Sequence, residues 1–244
     1  MVDKSTTYRH PVFNHDTIVI VGGYGSGKSE VSVNLARHLA ATGPGPVSIA
    51  DLDVINPYFR SREAAEELAR LGIKSLIPPG DQVYADLPIL IPNIKSAIQA
   101  GTGRLVLDVG GDDQGAKVLS ALADAFRPGK YELLLVLNAH RPFTADVAST
   151  QRLIVEIEAV SRLKFTGVIA NTHLMDDTTV ETVLRGLELA GAVSRATGLR
   201  IVFFSATRNI VNQIRPEEID FPLLPLDRSL LKPWEKKTIR DDAQ

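Results

Sequence analysis

The sequence predicts an α/β domain built on a doubly wound, mostly parallel sheet with helices on both faces, in three layers. Short, continuous runs of aliphatic residues alternate along the chain with longer segments of helical period. Apolar runs without polar alternation are typical of parallel strands that are covered on both faces. Strands that alternate with helices favour the doubly wound arrangement. With 244 residues, 44% of them hydrophobic, the chain can bury one large core.

The first half of the chain begins this alternation. Thr17–Val21 is a short β-branched run, and residues 28–42 follow as a helix with its apolar positions on one side and a glycine as a stop. Pro88 and Pro92 lead us to expect that the helix within 87–100 starts late. The other predicted elements are strands at 47–50, 73–77 and 104–108 and a helix over 61–72.

The second half continues the same pattern and sets the domain boundaries. The predicted strands are 132–137, 165–170 and 199–204, and the predicted helices are 113–125, 144–162, 178–190 and 207–214. We place the domain at 17–220, after a polar N-terminal arm at 1–16. An extended C-terminal tail is expected over 221–244, where Pro222, Pro225 and Pro233 disfavour regular structure.

The composition excludes several classes of function. The net charge is −2, so a general attraction to nucleic acid or anionic lipid is not expected. The chain has no cysteine, which excludes disulfides, thiolate zinc sites, cysteine-ligated metal clusters and cysteine nucleophiles. No run approaches the roughly 18 apolar residues of a membrane span, and the first residues lack a signal-peptide core. We therefore expect a cytoplasmic protein with no membrane or nucleic-acid partner.

A phosphate-binding motif lies between the first strand and the first helix. The segment from Gly22 to Ser29, GGYGSGKS, fits G-x-x-x-x-G-K-[ST] at every fixed position and in the required strand-to-helix context. Glycines let backbone N–H groups turn inward around a polyphosphate, and the helix start adds the positive end of its dipole. Lys28 would neutralise the β- and γ-phosphates, and the Ser29 hydroxyl would ligate Mg²⁺. The alternative is a glycine-rich turn with a chance lysine.

A later strand ends in Asp108 and runs into a pair of glycines. Ligands gather at the carboxyl ends of strands in open α/β sheets, so Asp108 can hold the magnesium shell. The N–H of Gly110 or Gly111 can reach a γ-phosphate. The alternative for Asp108 is a turn residue or a helix cap. We expect Asp112 and Asp113 to cap the next helix.

The second strand ends in Asp51-Leu-Asp53. In an extended chain these two carboxylates point to the same side, so one can support the metal while the other orients the attacking water. Ordinary loop chemistry is the alternative. Arg60 and Arg62 follow, and either can reach a phosphate or a partner, although a solvated helix start is the favoured interpretation.

These motifs together resemble the MinD/ParA/nitrogenase-iron-protein (SIMIBI) class of P-loop ATPases, and the resemblance runs from about Thr17 to Ala206. The stretches DLDVINPYFRSRE, DLPIL and DVGGDDQGA are similar to bacterial CobQ/CobB/MinD/ParA-type nucleotide-binding proteins. The resemblance implies binding of ATP, ADP and Mg²⁺ and slow ATP hydrolysis. It also implies a homodimer formed with ATP and a protein partner on which the switch acts. A metal cluster is not expected, because the class members that hold one ligate it through cysteines.

The resemblance also assigns roles to residues. It places Asp51 near the magnesium and implies that Asp53 positions the hydrolytic water. It also implies that Asn171 contacts adenine; the alternative for Asn171 is a turn residue. The class often carries a signature lysine at the second motif position, where this chain has Gly23, so the loop is closer to the GSGK[ST] loops of nickel-chaperone GTPases. The stretch that ends at Leu174 lacks the fourth-place aspartate of the guanine signature N-K-x-D, which favours ATP over GTP.

The resulting site prediction has three parts. The catalytic residues are Lys28, Asp53 and Asp108. The magnesium ligands are Ser29, Asp51 and Asp108. The nucleotide-binding residues are Gly22, Gly23, Tyr24, Gly25, Ser26, Gly27, Lys28, Ser29, Glu30, Gly111 and Asn171.

Two other functions remain open. The same loop would serve an ATP-dependent small-molecule kinase or ligase, with residues 73–100 shaping an acceptor site, or a nucleotide-dependent binding module with little hydrolysis.

The histidines do not indicate a metal site. The five histidines show no metal-ligand spacing. His140 and Arg141 end a strand and can face the site, but we do not expect them to be catalytic.

Overall fold

The computed structural model describes residues 8–53, 62–76, 87–215 and 219–228. Its strands are β1 (Thr17–Gly22), β2 (Val47–Asp51), β3 (Ile73–Ser75), β4 (Arg104–Gly110), β5 (Glu132–Leu137), β6 (Gly167–Ala170), β7 (Arg200–Thr207) and β8 (Leu223–Leu226). Its helices are α1 (Lys28–Thr42), α2 (Arg62–Arg70), α3 (Leu87–Ala100), α4 (Asp113–Leu122), α5 (Val147–Ser161), α6 (Val180–Thr197) and α7 (Arg208–Val211). None of the helices in these ranges combines the length and apolar character needed to cross a membrane.

The strands form one sheet in the order β3-β2-β4-β1-β5-β6-β7-β8. Every pairing between described strands is parallel. From β1 the chain goes outward to β2 and β3, returns with β4 to the position between β2 and β1, and then continues on the other side of β1 with β5. The order therefore reverses beside β1, and the crevice at the carboxyl ends of β1, β4 and β5 is the position where open α/β sheets bind ligands.

Helices cover both faces of the sheet, as the sequence predicts. On one face α1 packs Val31, Leu35 and Leu39 against inward residues of β1 and β4, and α2 adds Leu68. On the other face α3, α4, α5 and α6 bury a larger apolar cluster. Each fully buried Leu or Ile contributes about 1.5–3 kcal/mol by leaving water, so these two cores hold the strand ends at the crevice in place. The three-layer, doubly wound fold class is confirmed.

The start of α3 corrects the sequence prediction. The helix begins at Leu87 and contains Pro92, rather than starting late. Pro88 lies in the first turn, where a backbone N–H has no partner within the helix, so a proline at this position breaks no intrahelical hydrogen bond. Pro92 removes one intrahelical hydrogen bond, but the apolar residues Leu90 and Ile94, both buried, hold the helix on the sheet.

The ends of α6 also differ from the prediction. This helix runs to Thr197 instead of 190, and it ends at Gly198, which adopts the left-handed conformation with φ 75°. Gly191 lies inside the helix and does not stop it. A glycine within a helix costs about 1 kcal/mol relative to alanine, and the buried Ala190 and Val193 outweigh that cost.

The predicted C-terminal tail is part of the sheet at its start. Leu223–Leu226 forms β8, which pairs with β7 in the register Phe204 to Leu223. The domain therefore does not end at 220. Pro225 is tolerated because β8 is an edge strand, where a missing N–H need not break the ladder. The remaining tail residues, 229–244, lie outside the described part of the chain.

The described part of the N-terminal arm packs on the same edge of the domain. Tyr8 and Phe13 are buried. The Tyr8 hydroxyl donates to the carbonyl oxygen of Ile214 over 3.0 Å, and the N–H of Leu223 donates to the carbonyl of Arg9 over 2.8 Å. Residues 8–16 therefore brace the start of β8.

Candidate functional site

The phosphate loop connects β1 to α1 at the point where the strand order reverses. Gly25 and Gly27 adopt left-handed conformations, with φ of 72° and 83°, and Gly27 is the N-cap of α1. The N–H of Ser26 donates to the carbonyl of Gly23 over 3.1 Å and closes the turn. Within the described ranges, no acceptor pairs with the N–H groups of Gly25 and Gly27. Free backbone N–H groups at a helix start form an anion-binding cradle.

Two glycines are required by close approach. A Cβ on Gly22 would lie 2.4 Å from the Ser26 hydroxyl oxygen. A Cβ on Gly111 would lie 2.6 Å from the carbonyl carbon of Gly22 and from the nitrogen of Gly23. The N–H of Gly111 donates to the carbonyl of Gly22 over 2.9 Å. This bond ties the segment after β4 to the phosphate loop, so a contact of the Gly111 N–H with a γ-phosphate requires the bond to open.

The predicted acidic residues meet at the same edge of the sheet. Asp51 and Asp108 are partners in the register of β2 and β4, and the N–H of Leu52 donates to the carbonyl of Asp108 over 2.7 Å. The N–H of Asp53 donates to a carboxylate oxygen of Asp51 over 3.0 Å. All three aspartates are buried. Parallel strands bring their carboxyl ends together, which is why residues distant in sequence form one acidic cluster here.

Lys28 forms a buried ion pair with Asp53. The Nζ atom lies 2.6 Å from Oδ2 of Asp53, and the side chains are 8% and 4% exposed. Burial alone would lower the pKa of Lys28, but Asp108, Asp53 and Asp51 raise it above its ordinary value. Lys28 therefore remains a cation in the folded protein.

Asp108 is the unsatisfied member of the cluster. Within the described part of the chain, neither of its carboxylate oxygens accepts a hydrogen bond. The pKa of Asp108 is raised to about 7, chiefly by burial; Asp51 and Asp53 also raise it, while Lys28 and the nearby Ser29 hydroxyl lower it. A buried carboxylate without a partner is costly, and a bound cation would remove that cost.

The donor set fits a magnesium ion carried by a polyphosphate. Among the described residues, no three His, Asp or Glu side chains are arranged to hold a metal ion by themselves. Mg²⁺ in nucleotide sites takes few protein ligands and completes its shell with water and phosphate oxygens. Ser29 and the orphaned carboxylate of Asp108 provide such a partial shell, so the residues fit the predicted ion.

A pocket of about 220 Å³ opens above this cluster. Its walls come from the phosphate loop, the end of β2 and the segment after β4. The lining residues are Gly22, Tyr24, Lys28, Asp53, Gly110, Gly111 and Asp112. Asp112 caps α4 by accepting the N–H of Gly115 over 2.9 Å, as the sequence predicts.

Asn171 braces the phosphate loop from below. It follows β6 and is 2% exposed. Its Nδ2 donates to the carbonyl of Ser26 over 2.8 Å, and its Oδ1 accepts the Ser205 hydroxyl over 2.9 Å. The amide is thus engaged with protein at both ends, and the adenine contact expected of Asn171 stays a prediction.

Two residues at the loop were not assigned a role from the sequence. The Nε of Arg141 donates to the carbonyl of Gly25 over 2.8 Å. His173 lies beside Gly27, where its Nε2 would be 3.0 Å from a Cβ. Burial, and then the charge of Arg141, lower the pKa of His173 to about 4. The available signal was their position just after β5 and β6, the strands that follow β1 in the sheet.

The other predicted residues lie at the rim. Tyr24 is 80% exposed. The carboxylate of Glu30 accepts Nδ2 of Asn34 within α1, over 3.2 Å. Gly23 faces the ring of Phe143, which would lie 3.7 Å from a Cβ at that position. The predicted contacts of Arg60 and of the Arg62 side chain fall outside the described residues.

Comparison with known sequences gives no match: no protein-family model fits the chain, and neither does any curated protein. Solved structures do share its fold. FtsY from Mycoplasma mycoides aligns with a TM-score of 0.51 at 19% identity, over 84% of this chain and 67% of that one. The cell division protein FtsY from Thermotoga maritima gives 0.50 at 19%, over 82% and 65%. FlhF complexed with GTP and Mg²⁺ gives 0.50 at 16%, over 87% and 72%.

These likenesses identify the fold alone. The chain spans about two thirds of the FtsY chains, and at this identity a similarity of structure says nothing of substrate or partner. The parallel eight-stranded sheet with helices on both faces is the fold of an α/β P-loop NTPase. The expected fold is therefore confirmed, while membership of the MinD/ParA group is not shown.

Proposed function

We propose that this chain binds a magnesium nucleoside triphosphate at the phosphate loop, hydrolyses it slowly and thereby switches its contact with a protein partner. The observation that supports the proposal is the convergence of Lys28 with Asp51, Asp53 and Asp108 beneath the glycine loop. A phosphate loop without these neighbours would provide the lysine but no carboxylates. In the described part of this chain, the lysine, the Asp108 carboxylate and the N–H groups of the loop lie at one edge of the sheet.

Each residue has a distinct role in this proposal. Lys28 exchanges Asp53 for phosphate oxygens, since both partners are anionic and compete for the same Nζ. The loop N–H groups hold the phosphates in place. Ser29 and Asp108 hold Mg²⁺, which supplies neutralising charge. Asp53, once released from Lys28, orients the attacking water.

ATP is the proposed nucleotide. Leu174 stands where a guanine-binding aspartate would stand, and it is 41% exposed with no carboxylate to offer. GTP is the competing candidate, because FlhF, which has a similar fold, was solved with GTP and Mg²⁺. Competition of ATP and GTP against one fluorescent nucleotide decides between them. Displacement by GTP at lower concentration than by ATP would replace the adenine assignment.

The test of the activity uses two variants and a control. Lys28→Ala should abolish binding of magnesium nucleotide. Asp53→Ala should keep binding but lose phosphate release. Lys117→Ala, an exposed lysine on α4, should behave as wild type. Full turnover by the Asp53 variant would contradict the role proposed for that carboxylate. If the wild type binds no nucleotide, the whole proposal is wrong.

The nucleotide-dependent switch is tested by measuring the molecular mass of the protein in solution. Light scattering with Mg-ATP, Mg-ADP and no nucleotide, with released phosphate sampled from the same tubes, should show a dimer with ATP and slow release. A constant mass with phosphate transfer only to an added acceptor would indicate a small-molecule kinase or ligase. A constant mass with tight binding and no release would indicate a binding module.

A further inference from the structure

Arg141 lies flat against the phosphate loop. Its Nε donates to the carbonyl of Gly25 over 2.8 Å. A Cβ on Gly25 would meet Nε and Cζ of Arg141 at 2.8 Å and Nη2 at 3.1 Å. The guanidinium plane therefore occupies the space directly beside the left-handed glycine. A side chain of any size at position 25 would displace it.

The turn that carries Arg141 is fixed by its own hydrogen bonds. The N–H of Arg141 donates to the carbonyl of Asn138 over 2.9 Å, and the N–H of Thr144 donates to the carbonyl of Arg141 over 3.0 Å. The Thr144 hydroxyl donates to the carbonyl of Asn138 over 2.9 Å. The buried Asn138 and Thr144 hold this turn at the end of β5, so the guanidinium is placed before any ligand arrives.

The charge of Arg141 is not neutralised by a carboxylate of the described residues. Other arginines of this region are paired: Arg208 with Asp227 at 2.6 Å, and Arg228 with Asp176 at 2.8 Å. In the described part of the chain, the only side-chain hydrogen bond of Arg141 is the one from Nε to Gly25. Its Nη groups therefore keep their donors for an acceptor that is not part of these residues.

Arg141 would add positive charge to the phosphate site. Within the described ranges Lys28 lies among three carboxylates, those of Asp108, Asp53 and Asp51, and a bound polyphosphate would add further negative charge. Gly23 contributes no side chain on the other side of the loop. The charge of Arg141 does reach under the loop, where it contributes to lowering the pKa of the neighbouring His173.

We propose that Arg141 is the second cation of the phosphate site. Its Nε fixes the loop at Gly25 while its Nη groups donate to phosphate oxygens of the bound nucleotide. This rests on the proposed function, since it requires that a nucleotide occupies the loop. A planar guanidinium suits the role because it can hold the loop with one edge and the ligand with another.

Three variants separate the charge from the bracing contact. Arg141→Lys keeps the charge, Arg141→Gln keeps an N–H donor for Gly25 without the charge, and Arg141→Ala removes both. Arg152→Ala is the matched control, an exposed arginine on α5 that bonds to Ser149 over 3.0 Å. Thermal unfolding of each variant without ligand comes first and identifies any that fail to fold.

Binding is then measured for Mg-ATP and for inorganic tripolyphosphate at low and high salt. We expect Arg141→Ala and Arg141→Gln to weaken both ligands by about 10- to 100-fold, Arg141→Lys to weaken them less, and Arg152→Ala to match wild type. The dependence of Kd on salt should be shallower in the two uncharged variants, because one ionic contact is gone.

The outcomes that overturn the proposal differ from those that overturn the function. If wild type binds Mg-ATP and Arg141→Gln binds it equally well, Arg141 only braces the loop. An unchanged salt dependence in a weakened Arg141→Ala variant leads to the same conclusion. If wild type binds neither ligand, the proposed function fails first and this inference fails with it.

Discussion

The Nδ2 of Asn171 lies 2.8 Å from the carbonyl oxygen of Ser26 and donates to it. The bond joins the loop after β6 to the phosphate loop, and the Ser205 hydroxyl holds the other end of the same amide. Three segments that are far apart in sequence thus meet at one buried side chain. The phosphate loop is held from below as well as by its own glycines.

Replacing Asn171 with Ala should therefore destabilise the protein in the absence of nucleotide. The change leaves the buried Ser26 carbonyl and Ser205 hydroxyl without partners, at a cost of about 1–3 kcal/mol each in unfolding free energy. Urea unfolding measures it, and Asn93→Ala, on the exposed side of α3, is the control. A variant as stable as wild type that binds tripolyphosphate normally but ATP weakly would instead support the adenine contact.

The ion pair of Lys28 and Asp53 gives a second prediction. Lys28→Met removes the cation that is paired with Asp53, and breaking a buried pair costs about 3–5 kcal/mol. Adding Asp53→Asn should recover part of that loss, because the amide no longer needs a counter-charge. A double-mutant cycle by urea unfolding measures the coupling. Additive effects of the two changes would show that the pair contributes nothing of its own.

Asp108→Asn should stabilise the nucleotide-free protein but reduce the stabilisation that magnesium nucleotide provides. Since the pKa of Asp108 is raised from 3.8 to about 7, the folded state holds that proton more tightly than the unfolded state does. The associated stability is present below pH 3.8 and is lost as the pH rises through about 7. The asparagine variant should therefore melt higher than wild type at pH 8 and not at pH 4.

Magnesium nucleotide completes this prediction. It should raise the melting temperature of wild type but raise that of Asp108→Asn much less, because the variant lacks the carboxylate that would hold the ion. Thermal unfolding with and without Mg-ATP measures both effects. A variant that gains as much from Mg-ATP as wild type does would remove Asp108 from the magnesium shell.

The sequence predicts the phosphate loop and the acidic strand ends well, because each follows from residues that are close together in the chain. The phosphate loop is one continuous segment, and its φ angles at Gly25 and Gly27 follow from residues within it. Asp51 and Asp108 are also accessible to prediction, since parallel strands share a carboxyl edge. Knowing that a carboxylate ends a strand is enough to place it there.

The rest of the site depends on which strands are neighbours. Arg141 reaches Gly25 only because β5 pairs with β1, and Asn171 reaches Ser26 only because β6 lies next in order. Strand order is a long-range property that no local pattern carries. The same applies to β8, whose pairing with β7 depends on contacts that are distant in sequence. Considered alone, the prolines of this segment predict an extended tail instead of a strand.

His173 makes stability depend on pH in the acid range. Its pKa is lowered from 6.5 to about 4, so the unfolded state binds the proton more readily than the folded one. The stability it contributes is present above pH 6.5 and is lost as the pH falls toward about 4. The full amplitude is on the order of 3 kcal/mol.

His173→Gln should remove this dependence. The difference in unfolding free energy between wild type and variant should shrink or reverse between pH 7 and pH 4.5. Urea unfolding at both pH values measures it, with His15→Gln as a control outside the site. If the difference is the same at both pH values, His173 is not held neutral beside Gly27.

A matched pair of glycine substitutions tests the join between β4 and the phosphate loop. In Gly111→Ala the new Cβ would lie 2.6 Å from the backbone of Gly22 and Gly23, and backbone at that distance cannot give way as a flexible side chain would. The segment after β4 must then move away from the loop and lose the bond from the Gly111 N–H to Gly22. In Gly191→Ala, inside α6, the one neighbour of the new Cβ within 4 Å among the described residues would be Nη1 of Arg195, at 3.4 Å.

The two variants should therefore shift stability in opposite directions. We expect Gly111→Ala to lose about 2 kcal/mol or more of unfolding free energy together with most of its affinity for magnesium nucleotide. Gly191→Ala should gain about 0.5–1 kcal/mol from helix propensity with unchanged affinity. Urea unfolding and nucleotide titration measure both. Normal binding by Gly111→Ala would mean that the segment after β4 is not coupled to the loop, because the clash would then have been relieved without disturbing the cradle.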